Sequence, residues 1–297
     1  MPVSSTPLFD LHTYPTTALG GAGIVPNLQQ GAPLPDGSGI LYADYFNLSG
    51  TDYSRVVKIV YSGLVATELV ARTAGLPAHI CGICVEPTGT YAYICQGGDS
   101  GNRKIFRVVL ANGTYTLLVD LTSRLSVNPT HLHIDPLDST MLMIIGAGGN
   151  QIARYDMVHD VLVDAPFMLP IFPFNSFSEQ FVGNNIYSWI QPGGPTQMGP
   201  LVRLDRVIGN QIVIAGYQGG GSEALGGRYT SPIMGRCIAV PPDESVFYAI
   251  LNSGLCLIDT TSITLMDSAV NGYGWLNWDP VNNYLVANSG SEIRIYH

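Results

Sequence analysis

Lysine is almost missing from this chain: only Lys58 and Lys104 occur in 297 residues, and lysine plus arginine number 13 against 22 aspartates and glutamates. The net charge of −9 argues against a nucleic-acid backbone or an anionic bilayer surface as the main partner, because both are bound through cations. Charged residues make up only 12% and hydrophobic ones 46%, so uncharged polar side chains and glycine must carry much of the solubility. Long apolar runs are also absent, and the first thirty residues hold no basic stretch followed by an unbroken apolar one. The expectation is a chain with no signal peptide and no membrane insertion, cytoplasmic or virion-associated. Five cysteines are an odd number for a disulfide framework and fit buried thiols in a reducing compartment. Cys81 and Cys84 have a CxxC spacing, but positions three apart on a strand point to opposite faces, so core thiols are expected there ahead of a zinc or redox pair.

What is present is a repeat. Short apolar segments built around Lys58, Arg107, Arg154, Arg203, Leu257 and Arg294 recur at intervals of 49, 47, 49, 54 and 37 residues. Repeats of this length, made of short strands and turn signals, predict propeller blades. A turn precedes each second strand: Pro35-Asp36-Gly37, Pro87-Thr88-Gly89, Asp135-Pro136, Gly183-Asn184, Pro242-Asp243 and Asp279-Pro280. Proline presets one turn dihedral, and glycine or asparagine tolerates the left-handed one. The second strands, such as Tyr91-Ala92-Tyr93-Ile94 and Met141-Leu142-Met143-Ile144, carry few charges, as strands packed on both faces should.

The chain stops at His297, just after a third strand, while Pro7-Leu8-Phe9-Asp10-Leu11 reads like Leu117-Leu118-Val119-Asp120-Leu121. The fold class expected is therefore all-β, a six-bladed β-propeller whose last blade is closed by the N-terminal strand. One domain spans 1–297, with blades at approximately 24–73, 74–122, 123–167, 168–218, 230–269 and 270–297 plus 5–14. In blade pattern the whole chain resembles the six-bladed NHL-like and gluconolactonase-like propellers. It carries no WD, kelch or YWTD motif set.

Links from second to third strands, and from blade to blade, leave the same face of a propeller, and here these are the long ones: 47–55, 97–103, 146–151, 191–200 and 218–229. Recognition is usually placed on loops of a rigid scaffold. The candidate ligand-binding residues on this long-loop face are Asp52, Tyr53, Asp99, Asn102, Arg103, Gln197, Glu223, Arg228 and Tyr229, with Trp275 able to stack on a sugar near the channel mouth. Solvated loops are the plain alternative. The cations of the repeat are expected to spread their stems over apolar surface and bond neighbouring carboxylates or carbonyls, ahead of forming a ligand-binding ring.

His131 and His133 share a strand face and, with His79 opening the preceding blade, form the most catalytic-looking group. The gluconolactonase-like resemblance implies a divalent ion held in the channel by Glu, Asn and Asp of inner strands. The positions matching it by turn alignment are Ala32, Cys84, His133, Glu179, Ala239 and Asn277, so the candidate metal ligands are His131, His133, Glu179 and Asn277. Hydrogen-bonded core histidines are the alternative. No phosphate loop and no nucleophile elbow is found. The function expected is a non-catalytic binding or assembly module with no cofactor beyond that divalent ion. It is placed as a virion (phage) structural, decoration or receptor-binding protein meeting a protein or glycan through the long-loop face. The competing readings are a metal-dependent lactonase-like hydrolase at the channel mouth and a cellular protein-interaction scaffold.

Overall fold

Each repeat becomes one four-stranded antiparallel sheet. The computed structural model describes residues 12–15, 28–48, 50–72, 75–97, 102–126, 128–146, 151–168, 179–189, 201–206, 210–215, 237–251, 254–259, 262–268, 270, 275–288 and 292–297. The first strand of the chain is β1 (His12–Pro15). Three sheets then follow within a compact unit, Thr17–Asn175. They are β2 (Leu28–Pro33), β3 (Gly39–Leu48), β4 (Thr51–Val60) and β5 (Val65–Val70); β6 (Ile80–Val85), β7 (Tyr91–Gln96), β8 (Lys104–Val109) and β9 (Tyr115–Asp120); and β10 (Pro129–Asp135), β11 (Asp138–Gly146), β12 (Gln151–Asp156) and β13 (Val161–Met168).

A second compact unit, Met1–Thr16 with Ser176–His297, holds the other three sheets. They are β14 (Glu179–Val182), β15 (Asn185–Trp189), β16 (Leu201–Asp205) and β17 (Gln211–Ala215); β18 (Cys237–Ala239), β19 (Phe247–Leu251), β20 (Gly254–Ile258) and β21 (Ile263–Asp267); and β22 (Trp275–Asp279), β23 (Tyr284–Asn288) and β24 (Glu292–Tyr296). The last sheet gains its fourth strand from the other chain end, in the order β1-β24-β23-β22, with His12 opposite Ile295 and Tyr14 opposite Ile293. The fold is a six-bladed β-propeller. The segment Pro7–Leu11 expected to close it lies outside the described residues, and the paired strand observed begins at His12.

Packing explains the apolar middle strands. On β7, Ala92 and Ile94 join Leu41, Ala43, Val56, Ile80 and Ile83 in one apolar cluster. The alternate residues Tyr93 and Cys95 join Leu132, Leu142, Ile144 and Ala153 in the next. A strand alternates its side chains between faces, and both faces of this sheet are covered by a neighbour. In the second unit β19 behaves likewise: Ala249 and Leu251 pack with Tyr187, Trp189 and Leu201, while Ile250 packs with Leu276, Leu285 and Ala287. Burying each such Ile or Leu stabilises the fold by about 1.5–3 kcal/mol.

The turns close as their residue types require. Gly37 and Gly89 both have φ of 69°, and the Asp36, Asp135 and Asp279 carboxylates accept hydrogen bonds from the amides two residues on. The repeated cations lie on third strands and cover apolar or acidic neighbours. Arg107 sits 4.7 Å over the Tyr91 ring, Arg154 Nε is 3.7 Å from Asp135, and Arg294 donates at 2.8 Å to Asp267 of the adjacent sheet.

One ion pair is wholly enclosed among the described residues. Arg55 has no exposed surface; its Nε donates to the equally buried Asp44 at 2.6 Å, its Nη1 donates to Glu68 at 2.6 Å, and it lies 5.0 Å over the Phe46 ring. Removing the enclosed partner leaves the Arg55 charge, which water cannot reach, less well compensated. Asp44→Asn should therefore cost about 3–5 kcal/mol in urea unfolding, and Glu68→Gln clearly less, because Glu68 is 32% exposed. Equal losses for the two variants would contradict this account.

Candidate functional site

β3 and β4 are ten residues long, twice the length of the corresponding strands β15 and β16. Their ladder is continuous from Gly39 opposite Val60 to Leu48 opposite Thr51, so residues 47–55, expected as a loop, form a hairpin. The Asn, Gly and Asp content suggested a loop, but Gly50 lies in the turn and Asn47 and Asp52 pair in the ladder. Three contacts stiffen the hairpin. The Arg55 pairs lie at its root, and Phe46 stacks on Tyr53 with centroids 5.8 Å apart. Near the tip, the Asp52 carboxylate accepts from Tyr45 Oη at 3.0 Å and pairs with His79 Nε2 at 3.2 Å, while Tyr45 stacks on the His79 ring at 4.6 Å.

His79 reaches this position from the segment before β6, with a left-handed backbone (φ 65°), and its carbonyl accepts from Gly97 N. It was expected beside His131 and His133, and its ring partners are Asp52 and Tyr45. Of the candidate ligand-binding residues, Asp52 and Tyr53 are thus brought together on one hairpin, both partly exposed. Arg103 is engaged in its own sheet. Its guanidinium donates to Asn128 and to the carbonyls of Thr122, Leu125 and Ser126, which ties down the chain that follows β9. Asn102 precedes it and is half-buried. Trp275 packs against the cluster of Ile250, Leu276 and Leu285, as does Trp278, which stacks on Tyr248 at 5.6 Å. Asp99, Gln197, Glu223, Arg228 and Tyr229 lie outside the described residues.

The candidate metal ligands divide between the two units, His131 and His133 in one, Glu179 and Asn277 in the other. Among the described residues no group of three or more His, Cys, Asp or Glu side chains is arranged to hold a metal ion. His131 is buried, with Nδ1 3.2 Å from Thr130 Oγ1. His133 Nε2 is 3.5 Å from the amide of Gln30. Glu179 and Asn277 are both buried on inner strands, and Asn277 Nδ2 has no hydrogen-bond partner among the described residues.

Gln30 was not anticipated. This buried side chain on β2 donates from Nε2 to the Leu132 carbonyl at 2.9 Å, and its Oε1 accepts from Leu132 N at 3.0 Å and Ile83 N at 3.1 Å. One amide therefore ties the inner strands of three sheets. The segment Leu28–Pro33 carries two adjacent glutamines, Gln29 and Gln30, and nothing local in the sequence distinguishes the one that makes these bonds. Clefts formed by described residues lie beside turns of the first two sheets. One of about 410 Å³ is lined by Leu34, Pro35, Lys58, Pro87 and Leu110, and one of about 390 Å³ by Leu69, Asn112 and Tyr115.

No protein-family model matches the chain, and no curated protein matches it in sequence. Solved structures match in shape. The WD40 repeats of RRP9 give a TM-score of 0.59 at 11% identity, over 97% of this chain and 99% of that one. A protein of unknown function from Bacteroides thetaiotaomicron VPI-5482 gives 0.61 at 12%, over 93% and 70%. The β-propeller domain of Cps50 (Swd1) from Myceliophteria thermophila gives 0.55 at 11%, over 93% and 98%. The likeness is one of fold. No helix among the described residues is long and apolar enough to cross a membrane.

Burial, and secondarily the neighbouring His131, pushes the His133 imidazole down to about 3. Since its ordinary value is near 6.5, neutral His133 contributes stability that is complete above about pH 6.5 and is lost as pH falls toward 3. His133→Asn should flatten the fall in unfolding free energy between those limits. The turn carboxylates Asp36 and Asp138, held low by hydrogen bonds from Ser38 and Thr140, titrate alike in both proteins. Parallel pH profiles would contradict the assignment.

Proposed function

We propose that this chain is a non-catalytic binding propeller that meets a protein partner through the β3–β4 hairpin and the His79 segment beside it. The observation that carries the reading is the hairpin itself: ten-residue strands with aromatic side chains at the end, held by a buried ion pair, a ring stack and the Tyr45–Asp52–His79 contact. Aromatic groups fixed before binding lose little entropy on contact, and such groups dominate protein interfaces. The described side chains expected to do chemistry are engaged structurally instead: Arg103 with carbonyls, His79 with Asp52 and His131 with Thr130. Similar folds include the WD40 repeats of RRP9, in keeping with an interaction role. The narrower role in a virion rests on composition alone, the lysine-poor acidic chain, and co-sedimentation of the protein with particles would test it.

The test is affinity capture with the purified chain, followed by measured binding of each captured protein. Asp52→Ala and Tyr53→Ala together should weaken the specific partner at least tenfold, with a smaller loss of unfolding midpoint than Asp44→Asn because the Arg55 pairs at the hairpin root remain. Unaltered affinity would remove the hairpin from the interface. Elemental analysis addresses the hydrolase reading: a stoichiometric divalent metal, lost on Glu179→Gln or His133→Asn, would favour a lactonase-like enzyme over a binding module.

A further inference from the structure

The second sheet contains two sulfurs that the CxxC spacing does not pair. Cys81 Sγ lies 3.8 Å from Cys95 Sγ, across β6 and β7. The register explains this. Ile80 faces Gln96 and Gly82 faces Cys95, so Cys81 is the extra residue of a β-bulge. The bulge also breaks strict alternation, and Cys81, Cys84 and Cys95 all meet the same apolar cluster. The expectation that Cys81 and Cys84 point to opposite faces is thereby corrected.

Two glycines make the room. A Cβ on Gly82 would stand 2.7 Å from Cys95 Sγ, and one on Gly97 would stand 2.7 Å from Cys81 Sγ and 1.8 Å from the Pro129 carbonyl. Cys81 donates its thiol hydrogen to that same carbonyl at 3.1 Å and is partly accessible, whereas Cys95 is enclosed. None of the five cysteines is in a disulfide in this state.

We propose that Cys81 and Cys95 are an oxidisable pair that closes a disulfide between β6 and β7 on exposure to a small-molecule disulfide. The sulfurs must move closer by about 1.8 Å to reach bonding distance, a change within reach of side-chain rotation for residues on adjacent strands. Cys81 reacts first, because it is the accessible sulfur; burial and the contact with Cys81 hold the Cys95 thiol protonated. The Cys81 thiolate attacks one sulfur of glutathione disulfide and releases one glutathione, which takes up the proton. Cys95 then attacks Cys81 Sγ, the bond to the second glutathione breaks, and that glutathione leaves with the Cys95 proton. Two thiols are oxidised to one disulfide and one glutathione disulfide is reduced to two thiols. Closure breaks the Cys81 hydrogen bond to Pro129, so oxidation acts where the second sheet meets β10.

The full chain should be incubated in glutathione buffers of graded ratio, acid-quenched, alkylated and mapped by mass spectrometry. The expected product has lost two thiols and two hydrogens and yields a single cross-linked peptide pair containing Cys81 and Cys95. Cys95→Ser should instead retain a glutathione on Cys81, and Cys81→Ser should retain its remaining thiols. A bridge through Cys84, a persistent glutathione adduct in the unaltered protein, or five free thiols in the most oxidising buffer would each overturn the proposal. The map of the unaltered chain decides the matter even if a serine variant fails to fold.

Discussion

A sheet covered on both faces has no side on which to place polar residues, and this constraint governs the rest of the molecule. β7 and β19 each divide their side chains between two apolar clusters, so neither strand can afford an alternating polar face. Polar groups are displaced to strand ends, turns and outer strands, or enter the interior, as Arg55 and Gln30 do, with partners in place. The turn aspartates illustrate the first outcome and the enclosed Arg55 with Asp44 the second.

Buried and half-buried polar side chains act here as ties between elements. Gln30 joins three inner strands, Arg294 reaches Asp267 of the adjacent sheet, and Arg103 gathers the carbonyls after β9. In the second unit Glu244 accepts from Asn185 and from the Tyr187 hydroxyl, again linking neighbouring sheets. Residue types often associated with chemistry are thus occupied in structure, and the partly exposed aromatic and acidic end of the β3–β4 hairpin is the surface proposed for recognition.

The repeat was legible because sheet burial writes itself into sequence. Lys58, Arg107, Arg154, Arg203 and Arg294 all fall on third strands, and the proline, glycine and aspartate turns fall where second strands begin. The candidate site was legible only in part. Asp52 and Tyr53 were named as candidates, but as loop residues, because the segment has loop composition while Asn47 pairs with Asp52 and Leu48 with Thr51 in a ladder. His79 was grouped with His131 and His133 as residues of successive inner strands, yet its left-handed backbone accompanies a ring contact with the hairpin. The Cys81 bulge was invisible, since one extra residue in a strand leaves no compositional mark.

By itself the sequence determined the sixfold blade pattern, the order of strands within each sheet and the pairing of the N-terminal strand with the last sheet. Periodicity and turn chemistry are local, and each follows from a few consecutive residues. Only the tertiary structure decided which side chains meet: Gln30 with Leu132, Asp52 with His79, and Cys81 with Cys95. Those meetings depend on register shifts and on separations of 14 to 102 residues, and no local pattern encodes them.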